Sequence, residues 1–274
     1  MNPARIEKFA RVADALRCPL CGEPMALRGR SLRCGRGHSF DVSAKGYVNL
    51  MRRAVRDDYD AGFFEARSRI LEAGFYRHVL DALLEALDGA APAGPVLDAG
   101  CGEGYYAKAL DLRADVPVIG LDTSRDAIAR AARGGNGVCW LVSDVANLPV
   151  RDRALGCILN IFTPANYAEF TRALAGGGRL VKIVPGPLHL RELRELAGDR
   201  LRHATHSNRR VVEHLERHMV LERRLRARAT YEVAPDQVDD LLRMTPLMFG
   251  VDTDALPRDR VRSVTVDAEL LVAR

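Results

Sequence analysis

One tryptophan in 274 residues, aromatics at 6 % and no apolar run near the about 18 residues that span a bilayer set the first limits. A membrane-spanning helix is not expected, nor, without a charged-then-apolar stretch near residue 1, is export. No internal repeat or low-complexity tract is present, so the sequence is that of an ordinary globular protein. There are only six cysteines, and four candidate metal ligands cluster near one end. A soluble, cytoplasmic protein without membrane partners is expected. In a reducing compartment, clustered cysteines hold metal more often than they form disulfides.

What is present is more specific. Cys18, Cys21, Cys34 and His38 follow the spacing C-x2-C-x12-C-x3-H. Two thiolates two residues apart grip one face of a zinc ion, and a second pair beyond a loop completes the tetrahedron. Gly22, Gly35 and Gly37 allow the tight turns that aim these ligands inward. All four positions are protein ligands, so the expected zinc is structural, with no coordination site for a reacting water. The competing reading is buried thiols with unrelated neighbours. Residues 18–50 hold few large apolar side chains, chiefly Leu20, Leu27, Leu32, Phe40 and Val42, so this segment needs a metal to fold. Cys101, Cys139 and Cys157 sit in apolar or glycine-rich contexts and read as packed thiols.

Charge is uneven. The formal net charge is +5, and residues 1–60, with twelve Lys/Arg against seven Asp/Glu, account for all of it. Arg28, Arg30, Arg33, Arg36, Lys45, Arg52, Arg53 and Arg56 lie within or beside the metal loops. A second basic stretch holds Arg200, Arg202, Arg209, Arg210, Arg217, Arg223, Arg224, Arg226 and Arg228. Such clusters suit a phosphate backbone, where each neutralised phosphate releases counterions. A solvated arginine-rich face is the plainer alternative.

From Phe63 the pattern changes. Apolar residues from Phe64 to Leu87 recur at three- and four-residue steps, with Gly74 breaking the run into two helices. Strands are expected at Val96–Asp98, Val118–Leu121 and residues 138–142, 155–162 and 179–184, with helices over 124–133 and 166–174. That alternation predicts a parallel, doubly wound sheet. Residues 219–230 and 264–272 alternate at period two around a helix at Pro235–Arg243, which predicts a late antiparallel addition. The domains expected are a zinc-binding module at 1–50, a linker at 51–62 and an α/β domain at 63–274.

The loop after the first of these strands reads Asp98-x-Gly100-x-Gly102-x-Gly104, followed by Tyr105. It differs from the G-x-G-x-x-G spacing that holds a pyrophosphate. A carboxylate at the strand end repels phosphate but accepts from an amine-bearing ligand, and S-adenosylmethionine carries an amine, a sulfonium and no phosphate. Asp122, ending the second strand, is placed for both ribose hydroxyls, and Asp144 with Val145, after the third, for the adenine. NAD-type binding and an inert sheet are the alternatives.

Gly46-Tyr47-Val48-Asn49-Leu50, then Glu65-Ala66-Arg67 with Leu71, Gly74 and Tyr76, then Leu97-Asp98 through Tyr106, form a distinctive series. Pro185-Gly186-Pro187-x-His189-Leu190 and Met244-Thr245-Pro246 extend it. The whole resembles the large-subunit (23S) ribosomal RNA (guanine-N1)-methyltransferases, some members of which confer macrolide resistance. That resemblance implies a class I, Rossmann-like methyltransferase with a mostly parallel seven-stranded sheet. It also implies S-adenosylmethionine as donor, N1 of a guanine in a ribosomal RNA hairpin as acceptor, and a zinc module that takes part in RNA recognition. This chain departs from the family pattern at Thr163, where alanine is usual, and at Leu247-Met248-Phe249, where a tryptophan often stands.

Guanine N1 carries a proton that must leave, so alignment of N1 with the donor methyl and loss of that proton are the tasks. The candidate catalytic residues, Asn160, Phe162 and Pro164, lie on the loop after the fourth strand. Asn160 either meets the base edge or caps the following turn, and Phe162 either stacks on an extruded base or joins the core. The loop lacks an N-P-P-Y sequence, which favours a ring nitrogen over an exocyclic amine. Arg28, Arg30, Arg33, Arg36, Arg52, Arg53 and Arg67 are the candidate RNA contacts, and a homodimer would offer two clefts to one RNA. The remaining readings are a small-molecule methyltransferase that keeps the zinc module as scaffold, and a non-catalytic RNA-binding protein.

Overall fold

The computed structural model describes residues 3–53, 59–88, 93–113, 115–201 and 207–274. Arg56, Arg202, His203, His206 and part of the expected linker, residues 54–58, lie outside the described residues. The chain opens with α1 (Ala4–Glu7) and two 3-10 turns that lay Phe9, Val12 and Leu16 into the interior. Three short strands follow, β1 (Met25–Arg28), β2 (Ser31–Cys34) and β3 (Ser39–Asp41), paired antiparallel in that order. Gly29, at φ 60°, makes the turn between β1 and β2. A further strand, β4 (Tyr47–Asn49), then leaves this small sheet for the large one.

Two helices, α2 (Ala61–Glu72) and α3 (Arg77–Leu87), lie on either side of Gly74, whose φ of 91° supplies the break that the spacing predicts. Asp60 caps α2, its Oδ1 accepting the Phe63 N–H at 2.7 Å. Strands and helices then alternate as expected: β5 (Val96–Ala99), α4 (Tyr105–Asp111), β6 (Val118–Asp122), α5 (Arg125–Ala131), β7 (Cys139–Val142), β8 (Leu155–Ile161), α6 (Tyr167–Ala173) and β9 (Leu174–Pro185). The C-terminal part adds α7 (Arg191–Ala197), α8 (Arg209–Glu216), β10 (Leu221–Glu232), α9 (Pro235–Arg243) and β11 (Ser263–Ala273). Every residue of β5, β7 and β8 is buried. Helices cover both faces of such strands, which is why they read as continuous apolar runs.

The large sheet runs β10-β11-β9-β8-β5-β6-β7-β4. Neighbours from β9 to β4 are parallel, and β11 and β10 are added antiparallel. It therefore has eight strands, not the seven expected, because Tyr47–Asn49 pairs in parallel with Trp140–Val142. The metal-binding segment and one face of this sheet share a core: Phe9, Leu16, Met25 and Leu32 pack in one cluster with Leu97, Ile119 and Leu141. Arg17 ties the segment on further, donating to the Leu148 carbonyl at 3.2 Å and pairing with Glu169 at 3.4 Å. Among the described residues no helix is long and apolar enough to cross a membrane.

Candidate active site and metal cluster

Chain order reverses between β5 and β8, and a crevice opens beyond the carboxyl ends of strands at such a switch point. A cavity of about 620 Å³ lies there. Gly100 and Gly102 after β5, Asp122 after β6, Ser143 and Val145 after β7, Phe162–Pro164 after β8 and Gly186 after β9 all line it. The first helix pair contributes Phe64, Arg67 and Tyr76, and Met244–Leu247 close the far side.

Backbone conformation makes the glycines necessary. Gly100, Gly102 and Gly104 have φ of 84°, 55° and 82°. A Cβ on Gly100 would stand 2.7 Å from the Thr163 side chain, and one on Gly104 would stand 2.3 Å from the Trp140 ring. Gly102 faces the cavity with its N–H held by Asp122 Oδ2 at 2.8 Å, while Asp122 Oδ1 accepts the Ser124 N–H at 2.9 Å. Of the residues expected at the donor, Gly100, Gly102, Asp122 and Val145 come together on the cavity wall. Gly104 and Tyr105 do not line it. Nor does Asp144, whose carboxylate caps a 3-10 turn by accepting the Ala146 N–H at 2.8 Å.

Asp98 lies at the end of β5, 1 % exposed, and neither carboxylate oxygen has a hydrogen-bond partner. Burial, with Asp122 nearby adding to it and Arg67 opposing, pushes its pKa up to about 7. Two acids beside the glycine loop, Asp98 buried off the cavity wall and Asp122 on it, disfavour a pyrophosphate. The folded state therefore holds this proton from the ordinary aspartate range, about 3.9, up to about 7. The associated stability is full below the lower value and is lost as pH rises through the upper one. At pH 8, Asp98→Asn should melt about 5 °C above the parent. Calorimetry should show that gap closing as pH falls toward about 4; a pH-independent gap would remove the burial argument.

Arg67, a candidate contact for RNA or for the donor's carboxylate, lines the cleft. Its Nε donates to both oxygens of Glu103 at 3.1 and 3.0 Å, and Glu103 is 4 % exposed. A Cβ on Gly102 would stand 3.8 Å from that Nε, so the guanidinium lies directly over the loop.

Asn160 does not line the cavity. It is fully buried, its Nδ2 donating to the carbonyls of Ala99 (3.3 Å) and Pro164 (3.1 Å) and its Oδ1 accepting from Lys182 Nζ at 2.6 Å. Lys182 also donates to the Thr163 carbonyl at 3.0 Å, and burial pulls its pKa down to about 8. This pair braces the loop that carries Phe162 and Pro164, both of which do face the cavity. Sequence reasoning missed Lys182, although a lone charge inside Leu180-Val181-Lys182-Ile183-Val184 was the signal.

Cys18, Cys21, Cys34 and His38 are brought together, with ligand atoms all within 4.8 Å of one another. Sγ of Cys18 and of Cys34 each lie 3.4 Å from His38 Nδ1, and Cys21 and Cys34 sulfurs are 3.7 Å apart. Bonds of about 2.3 Å to sulfur and 2.0–2.1 Å to nitrogen give a tetrahedron with edges of about this length. Nearby, Arg28, Arg30, Arg33, Arg52 and Arg53 are exposed, whereas Arg36 is paired with Glu23 at 2.9 Å. In the second basic stretch Arg209, Arg224 and Arg226 are paired with Glu213, Glu269 and Asp267.

Sheet order, glycine loop and strand-end acids define a class I methyltransferase with a zinc-ribbon-like N-terminal segment. A family model described as RlmA, N-terminal, matches residues 16–52, and one described as a methyltransferase domain matches residues 96–182. The 23S rRNA (guanine(748)-N(1))-methyltransferase of Streptomyces fradiae is 35 % identical, over 96 % of this chain and 98 % of that one. YxjB of Bacillus subtilis (strain 168), assigned by name to the same class of reaction, is 38 % identical over 93 % of this chain and 95 % of its own length. The chain belongs to the 23S rRNA (guanine-N1)-methyltransferase family. Among solved structures, a chain of the Haloferax volcanii complex of the Trm112 methyltransferase activator matches with a TM-score of 0.54 at 18 % identity, over 80 % of this chain and 98 % of that one. Phosphoethanolamine N-methyltransferase 2 of Haemonchus contortus, in complex with S-adenosyl-L-methionine, matches at 0.50 and 14 %, over 80 % of this chain and 58 % of that one. These two likenesses concern the fold alone.

Proposed function

We propose that this protein transfers a methyl group from S-adenosylmethionine to N1 of a guanine in a hairpin of large-subunit ribosomal RNA. The carrying observation is a single cavity lined both by the glycine loop, Asp122 and Arg67 and by the aromatic side chains of Phe162, Tyr76 and His189. When bound, S-adenosylmethionine supplies a methyl group already activated by its sulfonium. Asp122 accepts from the ribose hydroxyls while holding Gly102 in place, and Arg67 meets the donor's carboxylate. Val145 and Ser143 pack beside the adenine. Phe162, half-buried against the core with a φ of 53°, forms with His189 and Tyr76 an aromatic wall for an extruded base.

Cys18, Cys21, Cys34 and His38 hold zinc, whose role is to fold the ribbon. The exposed Arg28, Arg30, Arg33, Arg52 and Arg53 give that ribbon a phosphate-binding surface. A ribosomal RNA substrate places the protein in the cytoplasm.

The test is methyl transfer from labelled donor to ribosomal RNA taken from a strain lacking this protein, followed by nuclease mapping. We expect 1-methylguanosine at one large-subunit position. Donor binding without any label in RNA would overturn the reading and leave a small-molecule acceptor.

A further inference from the structure

Three non-glycine residues among those described have positive φ, and two of them, Phe162 (53°) and Leu190 (51°), lie beside one histidine on the cavity wall. Strained backbone of this kind persists where the surroundings hold a side chain in a required place. His189 stacks on Phe162 with ring centroids 5.5 Å apart and planes 26° from parallel. Its main-chain N–H is tied to the Gly186 carbonyl at 3.0 Å, and Leu190 N–H to the Thr265 carbonyl at 2.7 Å.

The ring's proton is placed by a backbone contact. His189 Nδ1 accepts the Asp267 N–H at 3.3 Å, so the neutral ring carries its hydrogen on Nε2. Nε2 lies 3.5 Å from the Tyr76 hydroxyl, a long separation that leaves room for both groups to turn toward a third atom. Burial pushes the Tyr76 pKa up to about 12, which keeps that hydroxyl a donor. The other charged groups around the ring are engaged: Asp267 with Arg226, Glu192 with Thr265, Arg194 with the Pro187 carbonyl, and Arg67 with Glu103. His189 and Tyr76 therefore present hydrogen-bond donors to the cavity beside the Phe162 ring.

We infer that His189, with Tyr76 beside it, donates to O6 of the target guanine. This rests on the reaction proposed above. The N1–H bond breaks first: the proton leaves to water and its electron pair stays on N1, giving an anion whose charge is shared with O6. The N1 pair then forms the bond to the methyl carbon as the donor's sulfur–carbon bond breaks, its electrons staying on sulfur, and O6 ends as a neutral carbonyl. A fixed donor at O6 stabilises the anion's charge, as a donor at an oxyanion does. It also reads the base, because adenine would set its exocyclic amine against Nε2–H, donor against donor.

The experiment measures single-turnover methylation of the mapped hairpin across pH, with the full chain and with His189→Ala, His189→Gln and Tyr76→Phe. Methylation by the unsubstituted protein tests the underlying reading; the variants test this inference. His189→Ala should lower kcat about 100-fold and leave KM for the donor unchanged. The rising limb of the pH profile should move up by about one to two units, because guanine N1 is no longer helped to ionise. His189→Gln, which keeps an N–H of similar reach, should recover most of the rate, and a hairpin with adenosine at the target should be rejected less strongly by His189→Ala. If His189→Ala does not fold, Tyr76→Phe, which deletes one hydroxyl, should show a smaller displacement of the same limb. A slower enzyme with an unmoved pH limb, unchanged base choice and no rescue by glutamine would overturn the inference.

Discussion

Cys34→Ser will lose most of its thermal stability, and the loss will extend beyond the ribbon. Structural zinc contributes an apparent binding free energy of about 10–16 kcal/mol in small peptides, comparable to the whole stability of a typical domain. Here β1, β2 and β3 hold only eleven residues between them and cannot close a core alone. Leu32, Met25 and Cys34 nonetheless belong to the same cluster as Leu97, Ile119 and Leu141 beneath the large sheet. We expect one zinc per chain in the parent protein and none in the variant, by elemental analysis. The melting temperature should fall by more than about 10 °C, and a strong chelator should reproduce the effect on the parent. A variant that melts with the parent would show that these four side chains do not bind a structural ion.

Arg67→Ala is the second large effect, and it separates stability from binding. The guanidinium is the partner of Glu103, whose side chain is 5 % exposed, and the arginine's own is 19 % exposed. Removing one member of a pair so nearly buried leaves an uncompensated charge, at a cost of about 3–5 kcal/mol. Donor affinity should fall as well, by about tenfold or more, if the guanidinium over Gly102 meets the donor's carboxylate as proposed. Arg67→Lys keeps the charge but not the planar fork, so it should fall between the two. Scanning calorimetry gives the first quantity and titration calorimetry the second. If Arg67→Ala melts normally and binds the donor normally, both roles are wrong.

Much of the large domain was legible because its strands are buried on both faces and punctuated by glycine or aspartate. The runs ending at Asp98 and Asp122 and the helix Pro235–Arg243 are where the pattern placed them. What escaped depends on distant partners. Tyr47-Val48-Asn49 is too short to announce itself as a strand, and the partner that makes it one lies about ninety residues on, at Trp140–Val142. The helix Arg209–Glu216 buries only Leu215, so its arginines read as a charge cluster before they read as a helix. At the site, spacing put Gly100, Gly102 and Asp122 at successive strand ends, and they line one cavity. Asp98, expected at the ligand, is buried at the end of β5 and does not line the cavity. No local signal shows that Asn160 and Lys182 brace one loop, or that a backbone amide at Asp267 fixes the proton of His189, seventy-eight residues away.

The two margins of the large sheet are guarded by different means. β10 carries Arg224 and Arg226, both exposed and paired onto β11, and strand edges dressed in charge resist sticking to one another. β7 has no such dressing: Cys139-Trp140-Leu141-Val142 is wholly buried, and what closes its outer edge is β4. Only β3 separates the cysteine–histidine cluster from β4, so Cys34→Ser, which loosens the cluster, should also uncover this short apolar edge and raise light scattering from self-association.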